Sequence, residues 1–414
     1  MSTEAFLTDF HQVAAIGATP AGGVERQAAT PEDKEMRDWF VAFAAQRGWP
    51  VRTDSIGNLF ALVEWRPGAD YVLVGSHLDS QPLGGRFDGA YGVIAALHAA
   101  DRLAARVAQG EPPKYNLAVV DWFNEEGSRF APSIMGSSVF AGLMDEQEML
   151  QVADPDGVTV AEALDAIGYR GTDERPTPVA YAEIHIEQGP VLEREGIALG
   201  AVDRSWYTQK LDVEVLGEQS HTGATAMADR RDALVAASKV VVLVHDVTAE
   251  FEPESIVSSV GHLTLEPNSP IVVPRRVHLV ADIRANAPEI VQEARALLLE
   301  RIAAVASEHD LTIDVRDFDV RPVQSFPEQG LEISEKVAAD LGVGIRRINT
   351  MAGHDSVAMN RIVPALMLFI PSIDGVSHCE REFTTDDQMA VGVDALTEAT
   401  WELLQGGLDE EAGQ

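Results

Sequence analysis

The chain has 414 residues, 46% of them hydrophobic, and 31 Lys and Arg residues against 66 Asp and Glu residues give it a formal net charge of −35. This length exceeds one ordinary hydrophobic core, so roughly two or three domains are expected. The negative charge argues against nucleic acid or an anionic membrane surface as a partner. A single cysteine, Cys379, excludes a disulfide framework and a cysteine-rich zinc module, and it fits a reducing compartment.

The sequence contains no apolar stretch of the about eighteen residues that a membrane-spanning helix needs. Its first residues, MSTEAFLTDF, lack the basic and apolar regions of a secretory signal peptide. We therefore expect a cytoplasmic protein without a membrane partner. The final segment, GGLDEEAGQ, is polar and acidic, and we expect it to be disordered.

The first part of the chain is predicted to form scaffold. TPEDKEMRDWFVAFAAQRGW has a Thr cap, Pro in the first turn, early acids and a closing Arg-Gly, which together favour a helix. VRTDSIGNLFALVEW is predicted to be a hairpin, and Tyr71–Val74 has the short unbroken apolar run of a buried strand. A helical stretch and a second buried strand, YNLAVVDWF, follow it.

Side chains that commonly bind metals lie at or beyond the ends of the predicted strands. In chain order they are His77, Asp79, Asp88, Glu125, Glu126, His185 and His378. The binding crevice of an open α/β sheet lies at the carboxyl ends of its strands, so we expect these side chains to meet there. Alternation along the chain would turn His77 and Asp79 to the same side, where a carboxylate can orient the imidazole.

The pattern changes between about 208 and 322, where β-α-β-β-α-β segments predict the split unit of a ferredoxin-like sandwich. We interpret 208–322 as an inserted domain that divides the rest of the chain into residues 1–207 and 323–414. The predicted fold class is α/β with an inserted ferredoxin-like α+β domain.

A ligand set of imidazoles and carboxylates without a thiolate suits a pair of divalent ions, which could be Zn, Mn, Co or Ni. Such sites need a bridging carboxylate and a further carboxylate that takes a proton from the attacking water. The neighbours Glu125 and Glu126 can supply a ligand and a base. An isolated Glu-Glu pair is more often an exposed helix start, but this pair directly follows a buried strand.

Other classes of function are weakly supported. Ser-His occurs three times, but no G-x-S-x-G elbow accompanies it, so a serine hydrolase is disfavoured. Nucleotide-binding glycine motifs and H-E-x-x-H are absent from the sequence. A metal-stabilised binding protein without activity would be expected to lack the base or a ligand, and both are present here.

Six motifs together resemble one enzyme family: GSHLDSQPLGGRFDG, NEEGSRF, HIEQGP, GEQSHTGATAMADRRDA, AGHD and SHCEREFT. They resemble the amidase/hydantoinase/carbamoylase branch of the M20 metallopeptidases, which contains N-carbamoyl-L-amino acid hydrolases, β-ureidopropionases and allantoate amidohydrolases. The resemblance covers nearly the whole chain. It implies a metal-dependent amidohydrolase that cleaves a linear C–N bond of a small N-carbamoyl or ureido acid. An aminoacylase or peptidase-type hydrolase of the same superfamily is the alternative.

The resemblance also implies roles for individual residues. One of two divalent metal ions per subunit would be bound by His77, Asp88 and His185, and the other by Asp88, Glu126 and His378, so that Asp88 bridges them.

Glu125 would be the general base, and Asp79 would orient His77. The resemblance further implies that 1–207 and 323–414 form a mixed-sheet binuclear metallohydrolase (catalytic) domain. It also implies that 208–322 is a dimerisation or lid domain through which a homodimer forms. In that dimer, His221 of one subunit would reach the active site of the other and polarise the scissile carbonyl.

Substrate recognition is implied at four further positions. Arg284 would bind the substrate carboxylate, and Asn268 and His354 would lie near the substrate. PNSPIVVP departs from the family pattern Pro-Asn-x-x-Asn-Val-x-Pro because Ile271 replaces the second Asn. We therefore expect a substrate with little polar functionality near Ile271, and allantoate to be the least favoured of the family substrates.

Overall fold

The computed structural model describes residues 3–110 and 112–409. The last five residues of the predicted acidic tail, 410–414, lie outside the described residues. The chain divides into two compact units. The smaller unit is Ser205–Gln324, and the larger unit consists of the residues on either side of it. The sequence prediction for the insertion is 208–322.

Each unit contains both helices and strands. The first part of the larger unit contains α1 (Thr3–Val13), α2 (Pro31–Gln46), β1 (Val51–Thr53), β2 (Leu59–Val63), β3 (Tyr71–His77), α3 (Ala90–Val107), β4 (Asn116–Trp122), α4 (Met135–Phe140), α5 (Glu146–Leu150), α6 (Val160–Ile167), β5 (Pro178–Ile186), α7 (Val191–Glu195) and β6 (Leu199–Ser205). The smaller unit contains β7 (Tyr207–Leu216), β8 (Ser220–His221), α8 (Ala233–Asp246), β9 (Ile256–Glu266), β10 (Val272–Val273), β11 (Arg276–Ala285), α9 (Pro288–Glu308) and β12 (Thr312–Arg321). The larger unit then resumes with α10 (Glu328–Leu341), β13 (Ile345–Thr350), α11 (Asp355–Met359), β14 (Ala365–Ile370) and α12 (Asp386–Leu404).

The larger unit is built on an eight-stranded mixed sheet in the order β1-β2-β4-β3-β5-β14-β6-β13. Strands β4, β3, β5 and β14 are mutually parallel neighbours, whereas β2 and β6 pair with them in antiparallel fashion. Every residue of β3 and β4 is buried, as their unbroken apolar runs predict. The carboxyl ends of the four parallel strands therefore lie at one edge of the sheet.

Helix signals in the sequence act as expected at several ends. The Thr30 side chain accepts a hydrogen bond from the Asp33 N–H at the start of α2, where Pro31 occupies the first turn. Helix α12 begins with a capping box formed by Thr385 and Gln388. Helices α3 and α12 pack on each other and on the central strands, so the sheet is covered on that face.

The smaller unit has a four-stranded antiparallel sheet in the order β12-β7-β11-β9 with helices α8 and α9. The buried residues of β11 alternate with partly exposed ones, so one face of the sheet packs on apolar helix residues and the other remains polar. Strands β8 and β10 form a separate two-stranded ribbon. The β-α-β-β-α-β order is the one that the sequence predicts.

Within the described ranges, no helix is both long enough and apolar enough to cross a membrane.

Candidate metal centre

Four neighbouring parallel strands bring the predicted ligands to one edge of the sheet. His77 is the last residue of β3, and His185 is the penultimate residue of β5. Glu125 and Glu126 lie in the loop after β4, and His378 lies in the loop after β14. These segments are far apart in sequence, but the parallel arrangement of their strands makes the loops neighbours.

The first cluster is fully buried and consists of His77, Asp88 and His185. Oδ1 of Asp88 lies 3.0 Å from Nε2 of His185 and 3.6 Å from Nε2 of His77. One potential ligand atom from each residue lies within 4.8 Å of the others. The Gly89 backbone makes this close approach possible, because a Cβ atom there would lie 2.3 Å from the His77 ring.

The second cluster consists of Asp88, Glu126 and His378 and is more open. Nε2 of His378 lies 3.3 Å from Oδ2 of Asp88 and 3.5 Å from Oε2 of Glu126. The His378 side chain is 52% exposed. Asp88 therefore turns one oxygen toward each cluster, as a bridging carboxylate would.

The charges of the two clusters shift one another's pKa values. Burial alone would raise the pKa of Asp88, but hydrogen bonds from His185 and His378 hold it well below its usual range. Burial opposes protonation of both histidines, yet contact with Asp88 raises the pKa of His185 to about 9 and that of His378 to about 10. Burial raises the pKa of Glu126 to about 7, and repulsion by Asp88 adds to the shift.

Glu125 lies against the first cluster without belonging to either triad. Its side chain is buried, and Oε2 is 3.5 Å from Nε2 of His77. Burial raises its pKa well above the usual range, and the carboxylates of Asp355 and Glu126 raise it further. A buried carboxylate with a raised pKa can accept a proton and then release it.

The side chain of Asp79 has a different partner from the one that the sequence predicts. Nδ1 of His77 bonds to the backbone carbonyl of Asp79 at 3.0 Å, while the nearest carboxylate oxygen is 3.6 Å away. The Asp79 carboxylate instead accepts hydrogen bonds from the backbone N–H groups of Glu125 and Glu126. The turn after His77 points the Asp79 carbonyl at the His77 ring. Asp79 therefore contacts His77 through its backbone and the Glu125–Glu126 pair through its side chain.

Comparison with known proteins identifies the family. The sequence profile of peptidase family M20/M25/M40 matches residues 73–402. The chain belongs to this family. The M20 resemblance seen in the sequence is confirmed, and the protein is a hydrolase of a metal-dependent family.

Individual relatives agree with this assignment. The chain is 51% identical to a protein of Mycolicibacterium smegmatis described as a hydrolase, over 98% of this chain and 94% of that protein. It is 32% identical to an N-carbamoyl-L-amino-acid amidohydrolase of Rhizobium meliloti, over 95% of this chain and 94% of that enzyme. The crystal structure of a hydantoinase/carbamoylase family amidase from Burkholderia vietnamiensis matches with a TM-score of 0.93 and 35% identity, over 99% and 98% of the two chains.

The donor set of this M20 hydrolase fits divalent ions. Three carboxylates, Asp88, Glu125 and Glu126, lie close together with three imidazoles, and burial together with mutual repulsion raises the pKa values of Glu125 and Glu126. Cations would offset this repulsion, and imidazole with carboxylate is a ligand combination that zinc, manganese, cobalt and nickel accept. His77, Asp88, His185, Glu126 and His378 are the residues that would hold them.

Several residues that support the site were not predicted from the sequence. Nε2 of Gln188 donates to Oδ2 of Asp88 at 2.8 Å, and the Ser377 hydroxyl lies 3.2 Å from the same oxygen. Oδ1 of the buried Asp121 accepts from the N–H of Leu78, the residue after His77. Gln188 lies in the HIEQGP motif and Ser377 in the SHCEREFT motif. Their positions beside predicted ligands were the sequence signal that could have identified them.

His354 lies in the same unit as the metal cluster. It is 2% exposed, and its ring makes an edge contact with that of His185, with 4.7 Å between the centroids. His354 is the N-cap residue that precedes α11. This contact places it beside a candidate ligand, as a residue that packs the His185 ring.

The remaining predicted residues lie in the smaller unit. His221 is exposed, and its strand β8 pairs with β10 in the register His221 to Val272. Nδ1 of His221 accepts hydrogen bonds from the backbone N–H groups of Gly223 and Ala224, each at 3.0 Å. Nδ1 therefore carries no proton, and Nε2 is the ring's donor.

Two exposed residues and one ion-paired residue complete the predicted set. Asn268 is exposed, and the Ile271 side chain is 67% exposed beside β10. Arg284 on β11 is held by Asp282 of the same strand, with Nε to Oδ1 at 3.0 Å and Nη2 to Oδ2 at 2.7 Å. Asp282 thus orients the guanidinium and partly offsets its charge.

Proposed function

We propose that this M20 hydrolase is a binuclear amidohydrolase that cleaves the linear C–N bond of a small N-carbamoyl or ureido acid. The observation that carries the proposal is the pair of ligand triads that share Asp88, with Glu125 against them. The N-carbamoyl-L-amino-acid amidohydrolase of Rhizobium meliloti supports the substrate class. The single cysteine supports a cytoplasmic location.

Two divalent ions, when bound, would activate a water molecule and polarise the substrate carbonyl. Glu125 would accept the proton of the attacking water and deliver it to the leaving nitrogen, a role that its raised pKa supports. Asp79 would keep Glu125 and Glu126 in place, because its carboxylate accepts from both backbone N–H groups. The base and its neighbouring ligand would thus be positioned together.

We assign His221 to the carbonyl oxygen of the substrate, in the active site of a partner subunit. The Gly223 and Ala224 amides fix the proton on Nε2, so the ring presents a neutral N–H donor. Such a donor can stabilise negative charge that develops on the oxygen. The smaller unit would form the homodimer, and its edge strands β9 and β12 offer backbone groups to a second copy.

Substrate selection is proposed to depend on Arg284 and Ile271. The planar guanidinium of Arg284 suits a substrate carboxylate. Ile271 replaces an amide with exposed apolar surface, and the loss of one hydrogen-bond donor costs about 1–3 kcal/mol when the substrate presents a polar atom there. N-carbamoyl-L-amino acids would therefore be preferred over allantoate.

The test is a substrate panel with metal-reconstituted protein. We expect kcat/KM to be highest for N-carbamoyl-L-amino acids and lowest for allantoate, with N-carbamoyl-β-alanine between them. Ile271→Asn should raise the relative value for allantoate, and Arg284→Ala should lower turnover of carboxylated substrates more than that of their amides. Highest turnover of allantoate or of N-acetyl amino acids by the wild type would contradict the proposed substrate class.

A further inference from the structure

The loops that carry Asp88 and His378 are joined by a carboxylate that lies outside both ligand triads. Glu382 is 4% exposed, and its Oε1 accepts hydrogen bonds from the backbone N–H groups of Phe87 at 3.2 Å and Asp88 at 3.1 Å. Its Oε2 accepts from the hydroxyl of Ser377 at 2.6 Å. One oxygen therefore holds the loop after β3, and the other holds the residue before His378.

The loop after β3 is shaped around this carboxylate. A Cβ atom at Gly85 would lie 1.9 Å from Oε1 of Glu382 and 2.1 Å from its Cδ. Such distances do not occur between non-bonded atoms, so any side chain at position 85 would displace the carboxylate. The absence of a side chain at Gly85 and the hydrogen bonds of Glu382 are separate observations that point to the same fixed position.

The position of His378 depends on contacts with neighbouring residues. Its side chain is 52% exposed, and its backbone has a φ of 56°, in the left-handed region that non-glycine residues seldom occupy. By contrast, His77 and His185 lie on buried strands of the central sheet. A ligand on an exposed loop in an unfavourable conformation keeps its position only if neighbouring contacts hold it.

We propose that Glu382 is a positioning residue that fixes His378 relative to Asp88 and thereby sets the affinity of the second metal site. The inference rests on the binuclear centre of the proposed function. Removal of the Glu382 carboxylate would release the loop of His378, while His77 and His185 would remain fixed by their strands. The first site shares Asp88 with the second but has its other two residues on strands, so it would be affected less than the second.

Another glutamate on the same loop provides a matched control. The side chain of Glu380 accepts a hydrogen bond from the Thr19 hydroxyl and so ties the loop to the N-terminal segment. Glu380→Ala removes a carboxylate two residues away from Glu382. It leaves the bonds to Phe87, Asp88 and Ser377 in place.

The test is calorimetric titration of the metal-free full chain with Mn²⁺ and, separately, with Zn²⁺. Wild type should bind two ions, and His378→Ala identifies which binding step belongs to the second site. Glu382→Ala should weaken that step about 10- to 100-fold, as loss of groups that support a ligand usually does, while the other step changes little. Glu382→Gln keeps an acceptor for the two N–H groups and should restore most of the affinity, and Glu380→Ala should resemble wild type.

Two results would overturn the inference: an unchanged second step in Glu382→Ala, or equal weakening of both steps. If circular dichroism shows that Glu382→Ala does not fold, Ser377→Ala carries the test, because it removes the hydroxyl contact to Oε2 of Glu382, together with the longer contact of the same hydroxyl to Oδ2 of Asp88. An unaltered second step in Ser377→Ala would then contradict the proposal. A wild type that binds fewer than two ions would instead refute the binuclear centre, which is a distinguishable failure.

Discussion

Asp88 is the residue on which both ligand triads depend. Its two oxygens face different histidines, and their hydrogen bonds lower its pKa although burial acts in the opposite direction. Burial raises the pKa values of the nearby Glu125 and Glu126, and the negative charge of Asp88 adds to both shifts. The charge of Asp88 thus influences the protonation of the residues on both sides of it.

The sequence could place the candidate ligands and base near one another, because each comes at or near the end of an apolar strand pattern. Supporting contacts could not be found in the same way. Glu382 contacts Asp88 across 294 positions of sequence, and no periodic pattern encodes such a contact. The role of Asp79 was only partly predictable, since strand alternation does not specify the turn that directs its carbonyl toward His77.

A buried histidine outside the metal centre gives a prediction for acid stability. His98 lies between the rings of Phe6 and Phe43, and burial lowers its pKa from 6.5 to about 4, although Asp9 opposes the shift. The folded state disfavours its protonation, so its stabilising contribution is complete above pH 6.5 and is lost as the pH falls toward 4.

This shift corresponds to about 3 kcal/mol of unfolding free energy. We expect His98→Phe, which keeps an aromatic ring in this site, to lose less stability than wild type between pH 6.5 and pH 4. Urea unfolding of the metal-free proteins across this range measures the difference without a contribution from metal release. Parallel pH profiles for the two proteins would show that His98 does not titrate as described.

At the scale of elements, the parallel strands β4, β3, β5 and β14 bring the candidate ligands to one edge of the sheet. The loops after these strands determine how the side chains are directed. The strands and their burial follow from unbroken apolar runs, which local sequence specifies. The loops contain Asn124, Gln188 and His378 with φ values of 52°, 58° and 56°. Tertiary contacts impose these left-handed conformations, and residue preferences alone would not predict them.

We predict that the two candidate metal sites differ in lability, because different elements hold their residues. The first triad is buried and includes two strand residues, whereas the second includes His378 on an exposed loop. A chelator should therefore remove one ion faster than the other and produce a species with one ion per subunit. His378→Ala should have lost the labile ion already and should keep the slow one. Elemental analysis during chelation tests this, and simultaneous loss of both ions from wild type would contradict it.

At the scale of the whole molecule, the β-α-β-β-α-β order of the smaller unit was predictable because its strand and helix patterns alternate clearly. The order of its strands and of the eight-stranded sheet comes from long-range pairing, which local patterns do not contain. The homodimer and the shared active site remain predictions. A test of both predictions requires a measurement in which one subunit supplies the residue that the other subunit lacks.

Mixing two inactive variants provides that measurement. In a heterodimer of Glu125→Gln and His221→Ala, one of the two sites would combine an intact base with an intact His221. Random subunit exchange should then restore up to about a quarter of wild-type activity. Glu125→Gln mixed with itself after the same exchange is the control. An active monomer in light scattering, or no recovery after proven exchange, would exclude the shared site.

The central claim is that Glu125 is the base of a metal-dependent hydrolase. The most direct measurement is kcat of Glu125→Gln on an N-carbamoyl-L-amino acid, with metal content determined on the same sample and Glu380→Gln as a control outside the ligand triads. We predict that Glu125→Gln retains both ions and loses about 10²- to 10⁴-fold in kcat, because amide nitrogen and oxygen cannot accept and deliver the proton. A Glu125→Gln protein with both ions bound and a rate close to that of wild type would contradict this role.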